Sequence, residues 1–286
     1  MTMKTYNDLY IEVRTLLRNA GIENHTQEAR LIVSAAAGKN SQEFLRDLRL
    51  YTSPQVEERV AAFSERRIQG EPLAYVTGEW EFYGLPLYIT KDVLIPRIDT
   101  EVLVDAAKEL LTGNIMDARI LDLCCGSGCI TIALAHELPA SRFIAVDLSY
   151  AALEICRKNI AANRLSSRVI CMQADATMSP PASLGSFDMI VSNPPYIASA
   201  ENSSLDASVR DYEPVWALDG GEDGLRFYRS IIKYWKTLLK KDGYLLFEVG
   251  EGQADSVKDM LLSAGFHTAA ARKDTLGTDR VVIGRL

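Results

Sequence analysis

The residues with the clearest chemical potential are Asn193-Pro194-Pro195-Tyr196, which abruptly end an apolar run from Phe187 to Val191. Two consecutive prolines lack the N–H groups a sheet ladder needs, so a strand over 187–191 must stop where Asn193 begins. The prolines fix their own φ and restrict the residue before each. The Asn193 carboxamide, the Pro194 carbonyl and the Tyr196 ring are thus left with little freedom. Such a corner suits a planar NH2 group. The lone pair of an amide or exocyclic amine is delocalised, and the nitrogen is a poor nucleophile until acceptors orient it. With the Asn193 side-chain oxygen and the Pro194 carbonyl each accepting one N–H, the nitrogen gains sp3 character and its lone pair points at an electrophile. Tyr196 then covers the flat group. A Pro-Pro turn leaving a strand is common; Asn before it and an aromatic after it give the pattern its chemistry.

A second stretch suggests the electrophile. Asp122-Leu123-Cys124-Cys125-Gly126-Ser127-Gly128 stands where an apolar strand over 119–123 hands over to a helix over 130–138. Backbone N–H groups face a ligand at such a place. Asp147 ends the next strand, 21 residues after Gly126, where an acid binds ribose hydroxyls. Loop, acid and βαβ setting point to an adenosine-bearing cofactor, either a nicotinamide dinucleotide or S-adenosylmethionine. A dinucleotide loop wants Gly-x-Gly-x-x-Gly, but Gly126-Ser127-Gly128 is followed by Cys129-Ile130-Thr131. The Asn193 corner has no role in hydride transfer, whereas methylation of an amide or amine uses both stretches. Asp175, after the third strand, is either a contact for the adenine amine or a solvated loop acid.

The elements that must position these groups alternate from Ala118 onward. Strands read over 119–123, 142–146, 169–172, 187–191 and 244–249, with helices over 130–138, 151–162, 224–239 and 253–263. Two last strands, 266–270 and 280–284, suggest an antiparallel finish. The pattern predicts an α/β, Rossmann-like fold with a seven-stranded, mostly parallel sheet. Upstream, residues 5–70 read as a small helical bundle, with Leu9, Val13, Leu16 and Leu17 on one face. Ser53 at an N-cap and Pro54 behind it open a helix whose stripe is Val56, Val60, Phe63 and Ile68. Residues 79–89 alternate around Gly84 and Pro86 as a hairpin would. The expected division is a helical domain over 1–72, a hairpin connector over 73–95 and a catalytic domain over 96–286. Pro96 to Glu101 lead into a helix running to Leu111, with Asp99 or Thr100 as its cap and Glu101 near its positive end.

Composition excludes several classes. The chain has 286 residues, 48% of them hydrophobic, and a net charge of -7, which gives no general attraction to phosphate backbones. Five cysteines form no paired framework, as expected of a reducing cytoplasm. Cys124, Cys125 and Cys129 match no zinc spacing and the three histidines stand far apart, so no metal is expected. No apolar run approaches the ~18 residues of a membrane span, and the first residues carry charges rather than a secretory core.

In their order, Glu71-Pro72-Leu73-Ala74-Tyr75, Pro96 to Glu101, Asp122 to Gly128, Asn193 to Ile197, Tyr212-Glu213-Pro214, Ala217-Leu218 and Gly220 to Gly224 resemble the release-factor glutamine methyltransferases. Members of that family modify the glutamine of the Gly-Gly-Gln motif in class I peptide chain release factors, and the resemblance covers nearly the whole chain. It implies a class I methyltransferase fold in which Cys124, Cys125, Gly126, Ser127, Gly128 and Asp147 bind S-adenosylmethionine. Asp175, Arg97 and Glu101 join them, and Asn193 touches both cofactor and substrate. Asn193, Pro194, Pro195 and Tyr196 would hold the glutamine amide, with Asn193, Pro194 and Tyr196 catalytic. The helical domain would dock the release factor; the chain is expected to be a monomer, with no direct nucleic-acid or membrane partner. Two positions depart from the pattern: Cys124-Cys125 replace the first glycine of the family's loop and its neighbour, and Ala176 stands where many members carry an aromatic. Adenine N6-methyltransferases acting on RNA or DNA share Asn-Pro-Pro-Tyr and are the rival reading. A non-catalytic, cofactor-dependent binding module is the rival from another class.

Overall fold

Thr5 and Asp8 open the first helix by a reciprocal cap, the Asp8 N–H donating to Thr5 Oγ1 at 3.1 Å and the Thr5 N–H to Asp8 Oδ2 at 2.8 Å. In the computed structural model, which describes residues 3–286, helices α1 (Tyr6–Asn19), α2 (His25–Ala37), α3 (Ser41–Asp47), α4 (Pro54–Ile68) and α5 (Leu73–Thr77) follow one another. Their core gathers Leu9, Val13 and Leu17 with Ile32, Val33 and Phe44. Leu16, expected on the same face, is 46% exposed, because at ~100° per residue it falls at the edge of the arc that Tyr6, Leu9, Val13 and Leu17 bury. Ile68, the last residue of α4, is exposed for the same reason of placement. Ser53 caps α4 as expected, accepting from the Val56 N–H.

By compactness the chain forms two units, one taking the chain to Glu79 together with Asp206–Tyr212, the other Trp80–Leu205 with Glu213–Leu286. Residues 73–95, read from the sequence as one connector, are therefore shared out, with α5 in the helical unit and the hairpin from Trp80 onward in the larger one. Tyr212 fastens the returning segment of the helical unit by donating to the Gln69 carbonyl at 2.8 Å.

The larger unit begins with the hairpin β1 (Glu79–Phe82) and β2 (Leu85–Tyr88), then α6 (Glu101–Leu111). The alternating series follows: β3 (Arg119–Leu123), α7 (Cys129–Glu137), β4 (Arg142–Asp147), α8 (Tyr150–Ala162), β5 (Val169–Gln173) and β6 (Phe187–Ser192). A short α9 (Ala207–Arg210) lies in the segment that belongs to the helical unit; α10 (Arg226–Tyr234), β7 (Leu239–Glu248), α11 (Ala254–Ser263), β8 (Thr268–Lys273) and β9 (Asp279–Arg285) complete the chain. The helix expected over 224–239 instead breaks after Tyr234 into a 3-10 turn, Trp235–Leu238, which buries Trp235 completely.

The seven strands form one sheet in the order β5-β4-β3-β6-β7-β9-β8. Pairs among β5, β4, β3, β6 and β7 are parallel; β7 with β9 and β9 with β8 are antiparallel. Every residue of β6 is buried, as befits a parallel strand covered on both faces. Its one acid, Asp188, is matched by the Arg119 N–H and the Lys240 ammonium, each at 2.8 Å. From β3 the chain runs outward through β4 to β5, then crosses to β6 on the other side. The carboxyl ends of β3, β4 and β6 therefore flank a topological switch point, where open α/β sheets bind ligands. Among the described residues no helix is long and apolar enough to cross a membrane.

Candidate active site

A cavity of about 380 Å³ opens at that switch point, within the larger unit. Its floor is the loop after β3. Cys124 sits at φ 61°, Gly126 at 52° and Gly128 at 82°. Cys124 takes the left-handed conformation despite its side chain, at a cost on the order of 1 kcal/mol, so the loop curls here without the family's first glycine. Gly128 has no alternative residue: a Cβ there would lie 2.6 Å from Cys156 Sγ, on the helix packed behind.

The loop is tied to the next strand by two N–H groups, Cys125 donating to the Val146 carbonyl at 3.0 Å and Gly126 to Asp147 Oδ2 at 2.9 Å. Asp147 Oδ1 accepts from the Ser149 N–H at 2.9 Å. Each carboxylate oxygen has a further lone pair, so this side chain on the cavity wall can still accept from a ligand hydroxyl. Burial raises its pKa above the usual range, against the pull of those backbone donors. Asp175 Oδ1 accepts from the Thr177 N–H at 2.7 Å and its hydroxyl at 2.6 Å, and the residue also lines the cavity.

The roof comes from the end of β6. The Ser192 hydroxyl donates to the Leu123 carbonyl at 2.7 Å, locking the strand end against β3. Asn193 follows on the wall, its side-chain Nδ2 donating to Thr100 Oγ1 at 3.3 Å. The backbone beyond is clamped on one side by the Ile197 N–H to the Leu218 carbonyl (2.9 Å) and the Gly220 N–H to the Ile197 carbonyl (2.8 Å). Gln253 holds the other side, its Nε2 donating to the Tyr196 carbonyl at 2.8 Å while its Oε1 accepts from the Gly250 N–H at 3.0 Å. The approach is close enough that a Cβ on Gly220 would lie 2.8 Å from the Pro195 carbonyl oxygen, and one on Gly224 only 2.3 Å from the Tyr196 carbonyl oxygen. Burial pushes the Tyr196 phenol up to about 12, so it stays protonated.

Residues 8–78 match the PrmC N-terminal domain family and residues 98–209 the Methyltransferase small domain family. The release factor glutamine methyltransferase of Geobacter sulfurreducens is 39% identical over 273 residues, covering 96% of this chain and 94% of its own length. That of Agrobacterium fabrum is 39% identical over 279 residues, covering 96% and 95%. The chain belongs to the release factor glutamine methyltransferase family. The structure of the hMettl16 catalytic domain in complex with MAT2A 3'UTR hairpin 6 shares the fold, with a TM-score of 0.57 at 17% identity over 82% of each chain. Family and fold together make this an S-adenosylmethionine-dependent methyltransferase.

The sequence-predicted site residues divide in three. Cys124, Cys125, Gly126, Ser127, Asp147, Asp175, Asn193 and Pro195 line the cavity. Gly128, Pro194 and Tyr196 belong to the same turns, next to lining residues, without being part of the lining themselves. Arg97 and Glu101 are engaged elsewhere: Arg97 forms an ion pair with the buried Glu213, and Glu101 Oε1 accepts from the Tyr83 N–H at 2.9 Å. Each misses the wall by one residue, since Pro96 and Thr100 line it instead. Thr100 was legible only as a helix cap, yet it makes no side-chain cap bond and turns to Asn193. Asp92, Leu148, Trp216, Arg226 and Phe227 also line the cavity. No spacing announced them: Asp92 and Leu148 come from loops, Trp216 from a 3-10 turn, and Arg226 and Phe227 from the first turn of α10, none of which the motifs encode.

Proposed function

We propose that this chain transfers the methyl group of S-adenosylmethionine to the side-chain amide nitrogen of the glutamine in the Gly-Gly-Gln motif of class I peptide chain release factors. The observation that carries this reading is the meeting of two stretches, with Asn193 and Pro195 in the wall of the cavity floored by the Cys124–Ser127 loop and Asp147. The cavity's volume falls in the ~300–1,000 Å³ range of small-molecule sites. Its wall carries three carboxyl side chains, Asp92, Asp147 and Asp175, and one guanidinium, Arg226. That balance suits a ligand with a sulfonium, an ammonium and a single carboxylate.

S-adenosylmethionine bound there supplies an electrophilic methyl group. Asp147 would accept ribose hydroxyls, the Cys124–Ser127 turn, whose Cys125 and Gly126 N–H groups are committed to β4, would lie against the ligand, and Asp175 would accept from the adenine amine. Asn193 Oδ1 and the Pro194 carbonyl accept the two N–H groups of the substrate amide, and the Tyr196 ring covers it. The fixed corner therefore does most of the work by orienting a weak nucleophile. The surplus proton leaves to water after transfer, with no covalent enzyme intermediate. Arg97 and Glu101 brace the neighbouring turns rather than touch the cofactor. The helical unit docks the release factor, and the chain acts as a cytoplasmic monomer.

The test is incubation with methyl-labelled S-adenosylmethionine and, separately, a release factor, its Gln→Ala form and nucleic acid. Label in the intact release factor alone supports the reading. Label in nucleic acid, with the release factor blank, would replace it with an adenine N6-methyltransferase.

A further inference from the structure

Glu248, the last residue of β7, is 2% exposed, and its Oε2 has no hydrogen-bond partner. It does not line the cavity, but the two side chains that donate toward its carboxyl, Thr100 and Asn193, both do. Arg280, the nearest cation by charge, is committed to Asp274 at 3.1 Å and Asp99 at 3.4 Å, so Glu248 is not held as half of an ion pair. The carboxyl is thus buried beside the proposed catalytic amide with part of its accepting capacity unused.

Its effect on Asn193 follows from the two unlike ends of a carboxamide. Asn193 Nδ2 donates to Thr100 Oγ1, which leaves the single Thr100 hydroxyl proton for the carboxylate. A flipped Asn193 would set its oxygen against Glu248, two acceptors facing each other out of water with no proton between them. We infer that Glu248 is a positioning residue: directly and through Thr100, its carboxylate holds Asn193 with Nδ2 inward and Oδ1 toward the cavity, the orientation that accepts a substrate N–H. The inference rests on the role given to Asn193 above and goes beyond it by naming what sets that residue's orientation.

Ionisation decides whether the device is engaged. Burial pushes the Glu248 carboxyl up to about 7, against the Thr100 and Asn193 hydrogen bonds and the charge of Arg280; Asp99 adds to the rise. The other titratable groups that feel it are Tyr196 after β6, Tyr228 on α10 and Cys129 at the start of α7. Burial raises all three, so they stay neutral while Glu248 titrates. Protonated Glu248 is a donor as well as an acceptor and no longer discriminates between the two ends of Asn193.

The experiment compares wild type, Glu248→Gln and Asn193→Ala in the full chain, measuring kcat for methylation of a release factor, the KM for S-adenosylmethionine and the thermal midpoint. Glu248→Gln is expected to lower kcat about tenfold or more while the cofactor KM stays within about threefold. Wild-type kcat should rise through about pH 7, and the glutamine variant should lose that rise. Wild-type kcat and pH profile in Glu248→Gln, with Asn193→Ala inactive, would overturn this inference and leave the reading of the corner standing. Full activity in Asn193→Ala would overturn both. Should Glu248→Gln not fold, the wild-type profile alone decides: a kcat flat from about pH 6 to about pH 8 overturns the inference.

Discussion

Replacing Gly224 by alanine tests whether the Asn193–Tyr196 corner is held by close packing. Gly224 has φ 73°, and a Cβ built there lies 2.3 Å from the Tyr196 carbonyl oxygen and 2.6 Å from Gln253 Nε2. Left-handed alanine costs roughly 1–2 kcal/mol, and the stiffer unfolded chain returns roughly 0.4–1 kcal/mol, leaving a net loss of up to about 1.6 kcal/mol from the backbone alone. The contact adds more. To reach even the 3.0 Å limit of real Cβ contacts, the Tyr196 carbonyl must retreat by about 0.7 Å, which breaks its 2.8 Å bond to Gln253. Losing that bond costs about 1 kcal/mol, for a total near 2 kcal/mol and a thermal midpoint lower by a few degrees.

The larger effect falls on activity, because a displacement near 1 Å in a positioning element costs on the order of 10²-fold in rate. Gly252→Ala is the matched control, since Gly252 has φ 78° with nothing within 4 Å of its added Cβ. It carries the backbone penalty without the contact. Methyl transfer and cofactor binding by calorimetry would be measured for both variants. Gly224→Ala should lose kcat while binding S-adenosylmethionine normally, and Gly252→Ala should keep both. Equal kcat in the two variants would refute the argument that the glycine clamp positions the corner.

Other expectations follow from the same geometry. Asn193→Ala should lose about 10²- to 10³-fold in kcat, the typical loss for one preorganised hydrogen-bonding group, in steady-state methylation assays. Asp147→Ala should weaken S-adenosylmethionine binding by roughly tenfold or more, read by calorimetry, because it removes an acceptor on the wall and the anchor of the Gly126 N–H. Asp122 and Glu248 are both pushed by burial to about 7, above the ~4 of an unfolded carboxyl, so the folded state holds more protons between those values. Stability should therefore fall as pH rises from about 4 to 7, by up to about 3–4 kcal/mol for each group, and thermal midpoints from pH 5 to 8 should fall less in Glu248→Gln. Burial also raises the thiols of Cys124 and Cys129, and the hydrogen bond with Cys156, followed by burial, raises that of Cys171. Native protein at pH 8 should accordingly be alkylated far more slowly than unfolded protein, counted by mass spectrometry.

What the sequence displayed was local. The alternation of apolar runs with helices revealed the seven strands, because burial on both faces of a parallel sheet requires near-continuous apolar residues, as in Phe187 to Val191. The diproline stop and the Gly126-Ser127-Gly128 turn were visible because each is a short-range constraint on φ. What stayed hidden depends on distant pairs. Nothing in the spacing of Thr100, Asn193 and Glu248 joins them, and only sheet register brings the end of β7 beside the end of β6. Arg97 and Glu101 fall one position from the lining, which takes Pro96 and Thr100 on either side of a 3-10 turn over Ile98–Thr100. The break at Trp235 was masked by a helical composition that continues past the true end of α10.

The buried polar atoms left without partners show where this chain tolerates a departure from ordinary packing. Among the described residues, Asp122 Oδ1, Ser127 Oγ and Glu248 Oε2 belong to this group, and all three lie at the carboxyl ends of the strands around the cavity or in its floor. An orphaned buried acceptor costs about 1–3 kcal/mol, and two of these belong to carboxyls whose ionisation burial already opposes. A sequence selected for stability alone would place apolar residues or paired amides there. Ser127 lines the cavity, whereas Asp122 and Glu248 do not, so these two act on it only through the side chains they touch, Thr131 for Asp122 and, by the inference above, Thr100 and Asn193 for Glu248. At Glu248 the local instability and the proposed chemistry thus share one cause: a carboxylate kept in low dielectric to hold the amide that orients a weakly nucleophilic nitrogen.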